Sequence, residues 1–304
     1  MVQGNYERSA TPSFSIIIAV YNDWALLSGC LQSLAEQENA PSFEVIVIDD
    51  GSTEAAPEPT RRWATHYPLE IIRQTHAGIP AARNQGVQHS RGSILVFVDA
   101  DSRLKPDCLA ALHSAAGNTQ HNSFQLQLVG DSTTLLGKAE HLRLRALQNH
   151  SLRPDGCIRY VNTAGFAIRR AKIDPQQGLF DPRLLRGEDT LLLANLIREN
   201  DLPFFLANAI VQHVVPLSMI GCVRKDFRSA YLERTSLDLI ASLGVRIRVR
   251  NRDRLKMLWE MWKASASPQI GRLSWVAAVA RQCMQRLFSI FWWLCKRRSD
   301  VLSP

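Results

Sequence analysis

Apolar and polar positions follow two rhythms through the first hundred residues. Short runs rich in Val, Ile and Phe occur at residues 14–20, 43–48, 69–72 and 94–98, and helix-like segments separate them. Continuous apolar runs of this length predict strands buried on both faces of a mainly parallel sheet. Between the first two runs, Trp24, Leu27, Leu31 and Leu34 recur every three to four residues. That is the stripe of an amphipathic crossover helix, and right-handed βαβ units follow from it. Residues 81–88 offer helix formers just after Gly78-Ile79-Pro80, where proline suits a first helical turn.

Beyond residue 101 the rhythm loosens. Residues 124–129 alternate Phe, Gln, Leu, Gln, Leu and predict a strand with one wet face; residues 158–161 predict another strand. Helices are expected over 133–148, 188–200 and 216–243, and Trp24 and Trp63 are read as core on helix faces. The expected architecture is α/β, a Rossmann-like mixed, mainly parallel sheet flanked by helices with a C-terminal helical extension. Residues 1–215 are expected to form one domain and 216–304 a basic helical extension.

Charge sharpens that division. The 304-residue chain is 46% hydrophobic and 21% charged, as a globular protein should be. Residues 221–304 carry 17 Lys and Arg against 6 Asp and Glu, whereas residues 1–220 carry 19 against 22. The six cysteines, Cys30, Cys108, Cys157, Cys222, Cys283 and Cys295, contain no Cys-x-x-Cys pair, which points away from a zinc site or disulfide framework and toward a reducing compartment. The first residues, MVQGNYERSATPSF, lack the basic start and apolar stretch of a secretion signal, and no uncharged apolar run approaches the ~20 residues of a membrane-spanning helix. A cytoplasmic place is expected, with the inner face of the cell membrane open to it as a peripheral site.

Candidate chemistry gathers where the strands end. Tyr21-Asn22-Asp23 follows the first apolar run, Asp49-Asp50-Gly51-Ser52 the second and Asp99-Ala100-Asp101 the fourth. The carboxyl ends of parallel strands share one edge, and ligands bind in the crevice outside it. Carboxylates crowded there repel unless a cation or donors neutralise them. Asp99 and Asp101 supply hard oxygen ligands, too few to enclose a metal, which suits Mn²⁺ or Mg²⁺ completed by water and substrate phosphate. The first strand-turn has neither G-x-G-x-x-G nor G-x-x-x-x-G-K-[ST], which disfavours an ordinary dinucleotide or P-loop site.

The ordered set FSIIIAVYND, FEVIVIDDGSTE, GIPAARNQG, ILVFVDADS, NTAGFAIRR, GLFDPRLLRGEDTLLL and VQH resembles the inverting family 2 glycosyltransferases of the GT-A fold, over roughly residues 13–215. The resemblance implies that Ala19, Val20, Tyr21, Asn22, Asp23 and Asp50 hold the uracil and ribose of a UDP-sugar. It implies that Asp99 and Ala100 lie at the ribose or metal, and that Asp101 is a metal ligand joined by His213. Asp189 matches the catalytic base that takes the proton of the acceptor hydroxyl, giving a single displacement with inversion; Glu188 would position the acceptor. A helix N-terminus also favours carboxylates with no chemistry at all, so capping is the structural alternative for both. Gly165 and Phe166 match the loop beside the donor sugar, where relatives often carry Gly-Asn; packing is the other reading of Phe166. Arg83 either reaches a phosphate or forms a structural ion pair. Asn84 is expected to order its loop, and Asp49, on the opposite strand face, to cap a turn.

The C-terminal part carries a second pattern. Residues 245–254, VRIRVRNRDR, hold five arginines. Over 273–296, Leu273, Val276, Ala280, Met284, Leu287, Phe291 and Leu294 share one helical face, with Arg281, Gln282, Gln285, Arg286 and Ser289 opposite and Lys296-Arg297-Arg298 behind. This suits a helix lying in the interface of an anionic membrane, or one whose apolar face packs on the rest of the protein. No nucleic-acid-binding module accompanies the charge. The expected partners are a nucleotide-sugar donor and a saccharide or lipid-linked acceptor. Rival functions are a nucleotidyltransferase and a catalytically silent sugar-nucleotide or membrane binder.

Overall fold

The computed structural model describes residues 11–174, 178–184, 186–214, 219–244 and 251–302. In chain order the elements are β1 (Phe14–Val20), α1 (Trp24–Ala35), β2 (Phe43–Asp49), the single turn α2 (Glu58–Arg61), β3 (Leu69–Arg73), α3 (Ile79–His89), β4 (Ile94–Phe97), β5 (Ser102–Leu104) and α4 (Cys108–Asn118). They continue with β6 (Ser123–Gly130), α5 (Leu135–Ser151), β7 (Phe166–Arg169), α6 (Glu188–Arg198), β8 (Phe204–His213), α7 (Met219–Ser242), α8 (Asn251–Ala264) and α9 (Arg272–Leu302).

Packing divides the chain into two compact units that interleave in sequence. The first comprises Met1–Val129, Ser151–Pro182 and Leu192–Val214; the second comprises Gly130–His150, Arg183–Leu191 and Val215–Pro304. Helices α5 and the start of α6 thus group with the C-terminal helices. Sequence patterning gave no sign of this, because the grouping rests on side chains meeting across more than a hundred residues. In the second unit, Ala139, Leu142 and Ala146 of α5 pack with Met261 of α8 and Ala278 of α9.

In the first unit the strands lie in the order β3-β2-β1-β4-β7-β6-β8-β5. β1 pairs in parallel with β2 and β4, and β2 with β3, while β4–β7, β6–β7 and β5–β8 are antiparallel. β1, β2 and β4 are apolar runs buried on both faces as crossover helices require, whereas β3, at the sheet edge, is only half-buried with Glu70 and Arg73 exposed. Trp24, Leu27, Leu31 and Leu34 are buried along α1 as their spacing predicts, and Trp63, in a single 3₁₀ turn, is buried too.

Two expectations among the later strands change. The strand at 124–129 has no wet face at its start: Gln125 is 0% exposed. β6 sits inside the sheet between β7 and β8, and the Gln125 amide serves a loop. It accepts from the Asn162 N–H at 2.8 Å and donates to the Gly165 carbonyl at 2.8 Å. Residues 158–161 form no strand; only single bridges, Leu152 with Ile158 and Cys157 with Phe204, occur there. The pairing falls instead to β7 and to the three-residue β5, both too short for periodicity to declare.

At the amino-terminal edge of the parallel sheet Glu44 is buried and saturated with donors. It accepts from Ser15 Oγ at 2.7 Å, the Arg91 N–H at 2.6 Å and the Arg91 guanidinium at 2.7 and 3.0 Å. Burial works to raise its pKa, but the Ser15 and Arg91 donors outweigh it and hold the carboxyl below its ordinary value. A depressed pKa stabilises the fold above the unfolded-state value, and that stabilisation is lost as pH falls through the folded-state value. Glu44→Gln is therefore expected to cost about 1–3 kcal/mol near neutral pH, with the difference from wild type shrinking in acid, as denaturant titrations at several pH values would show.

Candidate active site

Each parallel strand delivers a polar loop to the carboxyl edge of the first unit. After β1, Asn22 adopts a positive φ of 59° and ties the first loop to the second. Its N–H donates to Ser52 Oγ at 2.9 Å, and its Oδ1 accepts from the Thr53 N–H at 2.8 Å and from Thr53 Oγ1 at 2.9 Å. Ala19 and Val20 lie within β1, Ala19 packed against the Ile46, Ile48 and Ala82 cluster, and Asp23 is exposed just before α1.

The two adjacent aspartates after β2 point to different tasks. Asp49 accepts from the Ser52 N–H at 2.8 Å and pairs with Arg73 at 3.4 Å, so it holds the turn, as strand alternation predicted. Asp50, 3% exposed, is engaged by the loop after β3. Its Oδ1 accepts from the Ala77 N–H at 2.8 Å and Gln74 Nε2 at 2.7 Å; its Oδ2 accepts from the Gly78 N–H at 2.9 Å and lies 2.8 Å from His76 Nδ1. Four donors match the four acceptor positions of a carboxylate, so Asp50 shapes the 74–78 loop.

That loop carries the residue the sequence argument passed over. His76 stacks on Tyr21, ring centroids 4.4 Å apart and planes 26° from parallel, and Tyr21 remains 38% exposed. The edge rule that selected residues 21–23, 49–52 and 99–101 applies equally to the loop after the third apolar run, and would have found His76 there. Aromatic rings displayed at a sheet edge suit a planar base.

After β4, Asp99 Oδ1 accepts at 2.8 Å from Arg83 of α3, which is almost wholly buried with its guanidinium 5.7 Å from the Phe180 ring. Arg83 is thus in a structural ion pair, one of the two roles its sequence context left open. Asn84 orders its loop as expected, accepting from the N–H groups of Leu179 and Phe180 and donating to the Phe180 carbonyl. Ala100 is buried, and beyond it the chain turns into β5. Pairing of β5 with β8 sets Ser102 opposite His213, and the Val214 N–H donates to the Asp101 carbonyl at 2.9 Å. Together they bring His213 Nε2 to 3.1 Å from Asp101 Oδ2, with both side chains partly exposed.

An imidazole and a carboxylate converging in this way fit a divalent cation that takes its remaining ligands from water and phosphate. Among the described residues no cluster of three or more His, Cys, Asp or Glu forms a closed metal cage. Covalent thiol chemistry gains no support from the buried cysteines: burial pushes the Cys30 and Cys108 thiols up to about 12.

Phe166 is corrected from a donor-facing ring to a core residue. It is 0% exposed at the start of β7 and packs on Phe97, ring centroids 6.4 Å apart. Gly165 beside it is required by close approach, since a Cβ there would lie 2.7 Å from Leu128 Cδ2.

Glu188 and Asp189 belong to the second unit. They form the first turn of α6 and are half-buried. Gly187, at φ 91°, takes a conformation that favours glycine and supplies the carbonyl that the Thr190 and Leu191 N–H groups use. The Arg186 N–H donates to Ser236 Oγ of α7 at 3.1 Å, and Leu184 and Leu191 pack with Ile240. The approach to the acidic turn is therefore anchored to α7.

Comparison with known proteins agrees with the sequence motifs. EpsH of Bacillus subtilis is 34% identical over 111 residues, 36% of this chain and 32% of that protein. The glycosyltransferase AglE of Haloferax volcanii is 41% identical over 96 residues, 31% of this chain and 32% of that protein. The chain thus matches about a third of the length of these curated relatives. Among solved structures, the mannosyltransferase PcManGT from Pyrobaculum calidifontis, in complex with GDP-Man and Mn²⁺, aligns with TM-score 0.61 at 18% identity over 93% of this chain and 84% of its own. S. aureus TarS 1-349 in complex with UDP-GlcNAc aligns with TM-score 0.53 at 17% identity over 91% of this chain and 88% of that fragment. These likenesses establish a shared GT-A fold. The sequence profile described as Glycosyl transferase family 2 matches residues 15–176, more than half of the chain, and the protein belongs to that family.

Proposed function

We propose that the chain is a metal-dependent inverting glycosyltransferase that moves a sugar from a nucleotide-sugar, UDP-linked, to a hydroxyl of a saccharide or lipid-linked acceptor in polysaccharide or glycolipid synthesis. Residues 1–215 would form its catalytic domain and 216–304 its basic extension. The observation that carries the reading is the convergence of Asp101 and His213, 112 residues apart in sequence, to 3.1 Å beside the Arg83–Asp99 pair. One solved relative by fold carries Mn²⁺ with a nucleotide-sugar, which agrees with that donor set.

In this reading Asp101 and His213 hold Mn²⁺ or Mg²⁺, which when bound neutralises charge on the departing diphosphate. Tyr21, with His76 behind it, covers the base; Asp50 fixes the 74–78 loop beneath that pair; Ala19, Val20, Asn22 and Asp23 bound the nucleoside. Asp99, paired with Arg83 and partly exposed, and the Ala100 turn meet the ribose. Gly165 keeps the 162–165 turn close-packed near the donor, with Phe166 as its buried support. Asp189 accepts the proton of the attacking hydroxyl, and Glu188 orients the acceptor. These last two roles come from the matched motif alone.

Titration calorimetry with nucleotide-sugars, with and without Mn²⁺, tests the reading. Asp101→Asn and His213→Ala are each expected to weaken metal-dependent nucleotide affinity about tenfold or more. Affinity that is unchanged in both variants would defeat the metal assignment, and release of pyrophosphate in place of the nucleoside diphosphate would identify nucleotidyl transfer instead. Asp189→Asn should lower kcat by about 10²–10⁴ with nucleotide binding intact; full turnover removes Asp189 from the base role. His76→Ala should weaken nucleotide binding about two- to tenfold without changing its metal dependence, the scale of one lost ring contact.

A further inference from the structure

Helix α9 packs one side against the second unit and leaves an apolar stripe on the other. The side toward the second unit's interior mixes apolar and polar groups: Ala278 is buried, Phe288 and Trp292 each lie 5.1 Å from the Phe227 ring of α7, Arg281 donates to Asp226 at 2.7 and 2.9 Å and lies 3.5 Å from Glu140, and Gln285 donates to Asp226 at 3.0 Å. Asp226 and Glu140 are both buried. The interaction with Asp226, offset in part by burial, raises the Arg281 pKa, as a closed ion pair should. At about 100° per residue, anchoring Arg281 and Gln285 inward sends the opposite side of the helix outward. That side is the apolar stripe of the sequence. Leu273 is 74% exposed, Leu287 65%, and Val276, Ile290, Phe291 and Leu294 about half. The six occupy an arc of roughly 100° over some 32 Å of helix.

We propose that this face docks on an anionic lipid surface. The observation is independent of the glycosyltransferase reading and does not rest on it. Exposed apolar area of this extent marks an interaction site. Three features select lipid as the occupant. Charge is complementary: residues 221–304 carry 17 basic against 6 acidic side chains, exposed Arg272 and Arg286 flank the stripe, and Lys296-Arg297-Arg298 follows in sequence. Helix α8 repeats the chemistry, with exposed Leu255 and Trp259 beside exposed Arg252, Lys256 and Lys263, the last 5.4 Å from the Trp259 ring. A second copy of so basic a unit would instead be repelled from the same face. Among the described residues no helix is long and apolar enough to cross a membrane, so the contact is with the surface. The arginines at 246–250 lie outside the described residues.

Vesicle flotation of the full chain tests this, in the absence of any nucleotide-sugar so that the result stands apart from activity. Wild type should float with phosphatidylcholine vesicles containing about 30% phosphatidylglycerol and stay down with pure phosphatidylcholine. Leu273→Glu combined with Leu287→Glu, the two most exposed positions of the stripe, should lower the vesicle-bound to free ratio about tenfold or more while circular dichroism is unchanged. An environment-sensitive fluorophore on exposed Cys283 of the wild-type chain should shift to the blue on anionic vesicles. The proposal is overturned if wild type does not float, if the double variant floats equally, or if the label does not shift. It is overturned as well if sedimentation shows a wild-type dimer that the double variant dissolves, which would make a second copy the occupant.

Discussion

Three residues at the far edge of the sheet, Ser102, Arg103 and Leu104, pair antiparallel with His213, Gln212 and Val211, and this short ladder holds the candidate metal site together. Asp101 precedes the ladder by one residue and His213 ends it, so backbone pairing at three positions sets a side-chain distance that neither loop would hold alone. Strand pairing is cooperative with the rest of the sheet, and the site inherits that rigidity.

The acidic edge is managed one carboxylate at a time. Asp49 spends its charge on a turn and Arg73; Asp50 spends its on backbone N–H groups, Gln74 and His76; Asp99 faces Arg83; Asp101 faces His213. Four acids brought to one edge thus have four different partners, and each partner offsets the repulsion among them. The outcome separates structure from chemistry. Asp49 and Asp50 are buried and shape loops, whereas Asp99 and Asp101 are partly open and stand where a ligand can reach.

The second unit uses buried charge for another end. Breaking a buried pair costs far more than the pair itself contributes to stability, so Arg281 and Asp226 act chiefly to specify an orientation. The orientation they specify leaves α9's apolar stripe outward. Packing of Ala278, Phe288 and Trp292 on the same side acts together with these charge-assisted hydrogen bonds to fix that orientation.

How much the sequence determined follows from the range over which each signal acts. Apolar runs with a period of two or none, and stripes with a period of 3.6, are local, so β1 to β4, α1, α3, α5, α6, α7 and α9 were legible, and so was the convergence of the parallel strands' carboxyl ends on one edge. The family motifs were legible for the same reason, as contiguous words. Only tertiary structure decided that β5 and β7 exist, because three or four residues become strands when a neighbour offers them an edge. It alone buried Gln125 and Phe166, gave Asp50 to the 74–78 loop and set His76 against Tyr21. It also chose which side of α9 faces inward, since amphipathicity fixes two faces but the partner, here Asp226 and Glu140, decides between them.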